Sequence, residues 1–321
     1  MKDNYIPSVK KKQIMDLAES GKRIDGRSLM DYRTLDIQAG YIEKAEGSAA
    51  VHLGETYVVA GIKIQPEKPF SDTPEDGVMT VNSEFVSMAS PEFEPGPPGV
   101  ESIELARVVD RGLRESKIVD TKKMCIHKGK LVWTIFIDIY ILDHCGNLID
   151  AAALAALSAL LNARMPELKF EESKQEAEKI LIEELTPQEG WKEWQILTPE
   201  RKISPAGNKK PVPLRAIPVN VTLAKIGDKF FVDPSKEEEE VMDCRLSVNF
   251  TEDGDICAMQ KGEAGTMTPE EVLRAVEIAK MKSQEIRKLL PIPEEVLKAI
   301  EKAKKSKPTA SVAIEEEKEK D

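Results

Sequence analysis

The alternation of apolar and polar positions predicts a sheet in the first part of the chain. Residues 1–20 carry apolar side chains at helical spacing and predict a charged helix before that sheet. Residues 34–64 alternate β-branched and aromatic residues between glycine-containing turns, which predicts three short strands. The alternation resumes over residues 78–88, after a proline-rich acidic stretch that cannot continue a sheet. The near-continuous apolar run over residues 131–142 is typical of a strand buried on both faces, at the centre of the sheet.

Two further stretches of the first part have the periodicity of helices. Residues 101–116 place apolar side chains on one face of a surface helix. The opposite face carries three arginines at positions i, i+4 and i+7, namely Arg107, Arg111 and Arg114. Alanine and leucine dominate residues 149–165, which predicts a helix that is apolar on most sides and is ended by Pro166.

The remainder of the chain predicts a connector and a second unit of similar order. The connector begins with an acidic stretch of helical pattern, FEESKQEAEKILIEEL. Strand patterns then return around Gly-Asp and Asp-Gly turns, and a helix capped by Thr268 follows. Because both parts run from strands to a long helix, we expect an α/β fold with two related halves. The predicted segments are a helical extension (1–26), a first half (27–166), the connector (167–210), a second half (211–290) and a disordered tail (302–321).

Composition and charge narrow the classes of function. The 321 residues carry a net charge of −11, which excludes a globally basic nucleic-acid coat but allows a local basic groove. Aromatic residues make up only 5%, so a surface paved with base-stacking platforms is not expected. Four widely separated cysteines, without a signal-peptide pattern or an apolar run that could span a bilayer, predict a reduced cytoplasmic protein that does not engage a membrane.

The sequence offers little for a cofactor or a metal ion. Neither a phosphate-binding loop nor a dinucleotide fingerprint occurs, so we expect no nucleotide cofactor. None of the three histidines has a histidine or cysteine at metal-ligand spacing except His144, next to Cys145, and adjacent residues rarely ligate one metal ion. The same adjacency argues against a nucleophilic triad built from Asp143, His144 and Cys145, because the members of a triad converge from separate elements.

The three arginines of residues 101–116 permit two interpretations. Guanidinium groups along one helical face could follow successive phosphates of a nucleic acid through charge-assisted hydrogen bonds. Alternatively, acidic neighbours neutralise the face, since Asp110 and Arg114 form an i, i+4 pair. Spacing alone leaves both interpretations open. Four lysines shortly after the helix favour the first one slightly: Lys122, Lys123, Lys128 and Lys130.

Five blocks of the sequence together resemble the ribonuclease PH family: GKRIDGRSLMDYRTLDI, GSAAVHLGETYVVAGIKIQ, ESIELARVVDRGLRES, DIYILDHCGNLIDAAALAALSALLNAR and MDCRLSVNFTEDGDICAMQKG. The resemblance covers roughly residues 20–290. Within the family, the chain is most similar to the subunits of the archaeal RNA exosome that keep the fold and lack the catalytic residues. The resemblance implies the family's ribonuclease PH-like two-layer α/β fold with two related halves.

The chain departs from active members of the family at two places. Those members hold inorganic phosphate in a turn through backbone amides, a hydroxyl and an arginine, and the resemblance places Leu148 at the arginine and Ala151 near the hydroxyl. They also carry an acidic pair on a strand of the second half, where this chain has Asp243 and Arg245. The resemblance therefore implies that these four positions are degenerate and that the chain has no catalytic residues.

The resemblance also implies a role in RNA degradation without catalysis. Arginine-bearing helices of this type lie along the path of RNA in the family, which assigns RNA binding to Arg107, Arg111 and Arg114. The implied partners are a catalytic ribonuclease PH-like subunit in a trimer of heterodimers, RNA-binding cap subunits, and single-stranded RNA. Two alternatives remain: an active phosphorolytic exoribonuclease that holds phosphate with Lys122 or Arg245, and a structural adaptor that docks partners through the acidic residues 171–184.

Overall fold

The computed structural model describes residues 8–172, 181–184, 194–197 and 201–305. Its first element is helix α1 (Ser8–Glu19), which confirms the predicted N-terminal helix over those residues. Ile14 and Ala18 are buried against Phe231 and neighbouring apolar residues of the second half. The helix is therefore attached to the second half and not to the strands that follow it in the chain.

The predicted strands of the first half form one six-stranded sheet. Its strands are β1 (Leu35–Ala39), β2 (Gly47–Leu53), β3 (Thr56–Glu67), β4 (Val78–Phe85), β5 (Cys125–His127) and β6 (Leu131–Asp143). The order is β1-β2-β3-β6-β4, and β5 also pairs with β6. Only β4 and β6 pair in parallel. Strand β6 lies between β3 and β4, which confirms the central position predicted from its apolar run.

Helices α2 (Val100–Glu115) and α3 (Leu148–Asn162) complete the first half. Helix α3 is buried along almost its whole length and contacts strands of both halves, so that one continuous core joins them. Gly47 permits this close approach, because a Cβ atom there would lie 2.7 Å from the Cα atom of Ala163. The prediction that Pro166 ends α3 was wrong, since the helix ends at Asn162 and Pro166 pairs with Lys209 in the next sheet.

The second half is a four-stranded antiparallel sheet with helices. Its elements are β11 (Val219–Ile226), β12 (Lys229–Val232), α4 (Lys236–Val241), β13 (Cys244–Phe250), β14 (Ile256–Gly262), α5 (Pro269–Arg287) and α6 (Glu294–Lys305), with strand order β12-β11-β13-β14. The predicted cap at Thr268 is confirmed, since its hydroxyl accepts a hydrogen bond from the Glu271 amide at 3.2 Å. No helix of the described residues is long and apolar enough to cross a membrane.

The predicted connector contains a sheet of its own. Strands β7 (Arg164–Glu172), β8 (Leu181–Glu184), β9 (Trp194–Leu197) and β10 (Arg201–Pro211) lie in the order β7-β10-β9-β8. The predicted acidic helix was therefore wrong over 170–172 and 181–184, because pairing with β10 and β9 overrides the helical preference of glutamate and lysine. Residues 173–180 lie outside the described part. Helix α6 reaches Lys305, so the predicted tail is helical over 302–305, and its remainder lies outside the description.

Candidate functional site

Two guanidinium groups of α2 have no partner among the described residues and border a cavity. Leu105, Val109 and Leu113 bury the opposite face of the helix. Arg107 and Arg111 are exposed, and neither forms a hydrogen bond or an ion pair within the part of the chain that the structure describes. Both line a cavity of about 450 Å³ between α2 and the strands β11, β13 and β14. The geometry thus brings two of the three predicted arginines to one open surface.

Arg114 differs from the other two predicted arginines. Its Nε and Nη2 atoms donate to the carboxylate of Asp110 at 3.0 and 2.6 Å, and Nη2 also donates to the carbonyl oxygen of Met79 at 2.7 Å. The Asp110 carboxylate raises the pKa of Arg114. Arg114 does not line the cavity. The acidic-neighbour interpretation therefore describes Arg114, and the RNA-binding interpretation stays a prediction for Arg107 and Arg111.

The rest of this cavity combines apolar and polar side chains. Val100, Ile103 and Met259 stand at its edge and are exposed. Asn220 and Gln260 line it, with the amide nitrogen of Gln260 donating to Glu104 at 2.9 Å. Glu104 also lines it and is paired with Arg245. Within the described chain, the surface therefore offers two unpaired cations on a mainly apolar and amide-bearing background, which suits the phosphates of a polyanion.

A second cavity, of about 280 Å³, lies on the other side of α2. Leu148 and Arg245 both line it, so the structure brings these two predicted positions together. Six glutamates also line it: Glu92, Glu101, Glu104, Glu239, Glu240 and Glu263. Its cations are Lys236 and Arg245, and acidic groups therefore dominate its electrostatics.

The two other predicted positions lie away from this cavity. Ala151 is completely buried inside α3. The carboxylate of Asp243 accepts hydrogen bonds from Lys11 Nζ and from the amide of Gly227, each at 2.7 Å. Burial alone would raise the pKa of Asp243, but these two contacts hold it below its ordinary value. Asp243 therefore fixes α1 to the β11–β12 turn and is not placed to donate a proton in the cavity.

Arg245 does not present a free cation to the cavity. Its Nη2 atom lies 2.5 Å from Glu104, and its Nη1 atom lies 3.9 Å from Glu263. Lys236 lies 3.4 Å from Glu92 and donates to the hydroxyl of Ser90 at 3.2 Å. Both cations of the cavity are thus paired with groups of the chain itself.

The turn before α3 has a constrained backbone. Gly146 and Asn147 have φ angles of 95° and 52°, in the left-handed region. The guanidinium of Arg33 donates to the carbonyl oxygens of Cys145 and Gly146 at 2.9 and 3.1 Å. The hydroxyl of Thr56 also donates to the carbonyl oxygen of Gly146, at 2.7 Å. These contacts hold the turn in one conformation.

Glu239 contacts this turn, and sequence reasoning missed it. Its carboxylate accepts a hydrogen bond from the amide of Asn147 at 2.9 Å. Burial raises the pKa of Glu239 to about 7, although the hydrogen bond from Asn147 acts in the opposite direction. The available signal was the run of four glutamates at residues 237–240, immediately before a predicted strand.

The residues considered for metal binding or nucleophilic chemistry show no arrangement for either. His144 packs on the ring of Phe93 at 5.5 Å, and burial lowers its pKa to about 4. Burial also raises the pKa of Cys145, which keeps its thiol protonated at neutral pH. Among the described residues, no group of three or more histidine, cysteine, aspartate or glutamate side chains is placed to hold a metal ion.

Comparison with known proteins gives consistent results at the levels of family, sequence and structure. The two models for the 3′ exoribonuclease family match residues 31–166 (domain 1) and 216–282 (domain 2). The exosome complex component Rrp42 of Pyrococcus horikoshii is 48% identical over 90% of this chain and 97% of its own length. The same component of Methanothermobacter thermautotrophicus is 43% identical over 89% and 95% of the two chains.

Solved structures agree with these relatives. A chain of the Archaeoglobus fulgidus exosome, solved with RNA bound to the active site, has a TM-score of 0.73 and 39% identity, over 87% of this chain and 97% of that chain. A chain of an archaeal exosome core has a TM-score of 0.71 and 35% identity, over 90% and 99%. The resemblance inferred from the five sequence blocks is thereby confirmed, and the chain belongs to the 3′ exoribonuclease family of ribonuclease PH-like proteins.

Proposed function

We propose that this chain is a non-catalytic subunit of an archaeal RNA exosome ring. In that role it binds single-stranded RNA and structures the active site of a catalytic ribonuclease PH-like partner during 3′-to-5′ phosphorolytic degradation. Relatives that are 43–48% identical over about nine-tenths of the chain are named exosome components, which supports the assembly. The related chain solved in an exosome with RNA bound supports the substrate.

The observation that carries the proposal is the separation of charge across α2. On one side, Arg107 and Arg111 are exposed at a cavity of about 450 Å³ and are unpaired within the part of the chain that the structure describes. On the other side, six glutamates line the cavity that contains Leu148; one of them, Glu104, also borders the first cavity, where Arg245 and Gln260 bind its carboxylate. Free guanidinium groups can hold RNA phosphates, because phosphate contacts fix the register of a nucleic acid without any chemistry.

The same separation argues against catalysis by this chain. Phosphorolysis needs inorganic phosphate held beside the RNA backbone, and such an anion requires cations or free N–H donors. Here Leu148 lacks a charge, and Arg245 is paired with Glu104. An added anion would be repelled in a cavity lined by six glutamates, whose two cations are already paired. The proposed chemistry therefore belongs to the partner subunit.

The alternative phosphate ligands named from the sequence do not converge on one place. Lys122 lies in a short 3₁₀ turn over Thr121–Met124 and does not line the cavity that contains Leu148. Arg245 lines that cavity but is paired. The acidic docking segment of the adaptor alternative, residues 171–184, lies outside the residues whose side chains the structure describes.

The proposed partners are a catalytic homologue, arranged with this chain as three heterodimers, and RNA-binding cap subunits. Strand β14 is an edge strand, and its Ile256 and Met259 are exposed, which supports contact with a neighbouring subunit. The four cysteines are all free, which favours action in the reducing cytoplasm.

The experiment that tests this proposal compares the chain alone with the assembled complex. A labelled single-stranded RNA is incubated with inorganic phosphate and the chain, the catalytic homologue, or both, and release of nucleoside diphosphates is measured. We expect no release by the chain alone and faster release by the mixture than by the homologue alone. Phosphate-dependent release by the chain alone would contradict the proposal, as would failure of the two proteins to assemble.

A further inference from the structure

We propose that the side chain of Glu239 occupies the hydrogen-bond donor of the turn before α3, the Asn147 amide, and thereby closes the chain to inorganic phosphate. This inference goes beyond the proposed function, because it concerns a small anion and does not depend on RNA binding. It also assigns a role to a residue that the four degenerate positions do not include. The loss of a cation at Leu148 would weaken an anion site, whereas Glu239 fills it.

The turn retains the features with which a helix end attracts an anion. Helix α3 has 15 residues, and its N-terminus carries the positive end of the helix dipole and N–H groups without intrahelical partners. The amide of Asn147, at the N-cap, is directed at the Glu239 carboxylate at 2.9 Å. A carboxylate bonded to this end makes the type of contact that a phosphate oxygen would make.

The position of Glu239 is built into the fold through α4. The preceding residue, Glu238, is buried, closes a capping box with Ser235, and accepts a hydrogen bond from Arg23 Nε at 2.8 Å. The amide of Lys236 donates to the carbonyl oxygen of Cys145 at 3.1 Å, which joins the start of α4 to the turn. Glu239 therefore reaches the turn from a helix that is fixed on both sides.

The backbone at Gly146 shows how closely the turn before α3 meets the start of α4. A Cβ atom at that position would overlap the backbone of Pro234 and Lys236, and the φ angle of 95° also favours glycine. The absence of a side chain at Gly146 permits this contact. The approach that brings α4 onto the turn is therefore part of the packing of the protein.

Size does not explain the exclusion of phosphate. The cavity of about 280 Å³ is several times larger than the ~30 Å³ occupied by one water molecule in the liquid. Three features exclude phosphate instead. The Glu239 side chain occupies the Asn147 amide, five further glutamates line the cavity, and the two cations of the cavity are already paired. Restoring a cation at Leu148 should therefore be insufficient while Glu239 remains.

The test measures binding of inorganic phosphate to the full chain by isothermal titration calorimetry. We compare Leu148→Arg with the double variants Leu148→Arg/Glu239→Gln and Leu148→Arg/Glu240→Gln. Glu240 is the matched control, because it lines the same cavity but pairs with Lys10 at 3.1 Å and not with the turn. We expect the Glu239 double variant to bind phosphate at least about tenfold more tightly than Leu148→Arg alone, and the Glu240 double variant to resemble the single variant.

Three results would overturn the inference: strong phosphate binding by Leu148→Arg alone, equal gains from both double variants, or no binding by the Glu239 double variant. A second measurement does not use the Leu148→Arg substitution. Hydrogen exchange at the Asn147 amide should be faster in Glu239→Gln than in Glu240→Gln, because only the first substitution weakens its acceptor. Equal exchange would show that the contact is absent in solution.

Discussion

Replacing Arg107 and Arg111 by glutamine should change how RNA binding depends on salt. Each phosphate that a cation neutralises on a single strand contributes about 0.7 to the slope of log K against log salt concentration. Both guanidinium groups are unpaired within the described chain, so each is available for one phosphate. The double substitution in an assembled ring should therefore reduce the magnitude of the slope by about 1.4 for each copy of this subunit that contacts the RNA.

The chain offers a matched control on the same helix. Arg114 has the same charge but is held by Asp110 and by the carbonyl oxygen of Met79. Because that guanidinium is already paired, Arg114→Gln should leave the slope unchanged and remove a surface ion pair that stabilises the fold by only about 0.3–0.5 kcal/mol.

Fluorescence anisotropy of a labelled single-stranded RNA, measured over a salt series without inorganic phosphate, gives the slope for each ring. The absence of phosphate prevents phosphorolytic degradation during the titration. An unchanged slope after the double substitution would refute the assignment of Arg107 and Arg111. An equal loss in Arg114→Gln would show that the overall charge of the helix matters and that the two free arginines have no special role.

Three further predictions concern stability and are each checked by thermal or denaturant unfolding. Asp233 is fully buried, and although burial alone would raise its pKa, the hydrogen bonds and charge of Arg33 lower it. The contribution of Asp233 to the free energy of unfolding should therefore be complete above pH ~4 and be lost as the pH falls below 3.8, the ordinary pKa of an aspartate. Asp233→Asn should lower the free energy of unfolding by about 3–5 kcal/mol at neutral pH and remove this pH dependence. Gly112→Ala should destabilise the protein by about 1–3 kcal/mol, because the added Cβ atom would overlap the side-chain amide of Asn249. An unchanged midpoint of unfolding would show that α2 can shift freely. Thr268→Ala should cost about 1 kcal/mol through loss of the α5 cap, whereas Thr268→Ser should retain most of the stability.

Local patterns were sufficient for elements whose own sequence carries a periodic or capping signal. The arginine-bearing helix follows from apolar spacing, and residues 131–142 follow from an apolar run that suits a strand with a partner on each side. The cap at Thr268 is signalled by Glu271 three residues later. In each case the signal lies in residues within a few positions of one another, although residues 131–142 pair with strands that are distant in the sequence.

Contacts between distant segments could not be read from the same patterns. The acidic connector has helical composition, but pairing with residues 201–211 makes part of it a strand. Glu239 meets Asn147 across 92 positions of sequence, and no spacing rule indicates that contact. The resemblance placed Leu148 and Arg245 at one site, and the structure brings both to one cavity, whereas Ala151 and Asp243 lie elsewhere.

The division of roles between this chain and its partner can be tested in one ring. This chain is assembled with a catalytic homologue whose own active site has been inactivated by substitution, and release of nucleoside diphosphates from single-stranded RNA is measured with inorganic phosphate present. The separation of Arg107 and Arg111 from the carboxylate-lined cavity predicts that the ring binds RNA and releases no diphosphates. Phosphate-dependent release from that ring would contradict the proposed function, because this chain would then supply the only intact catalytic site.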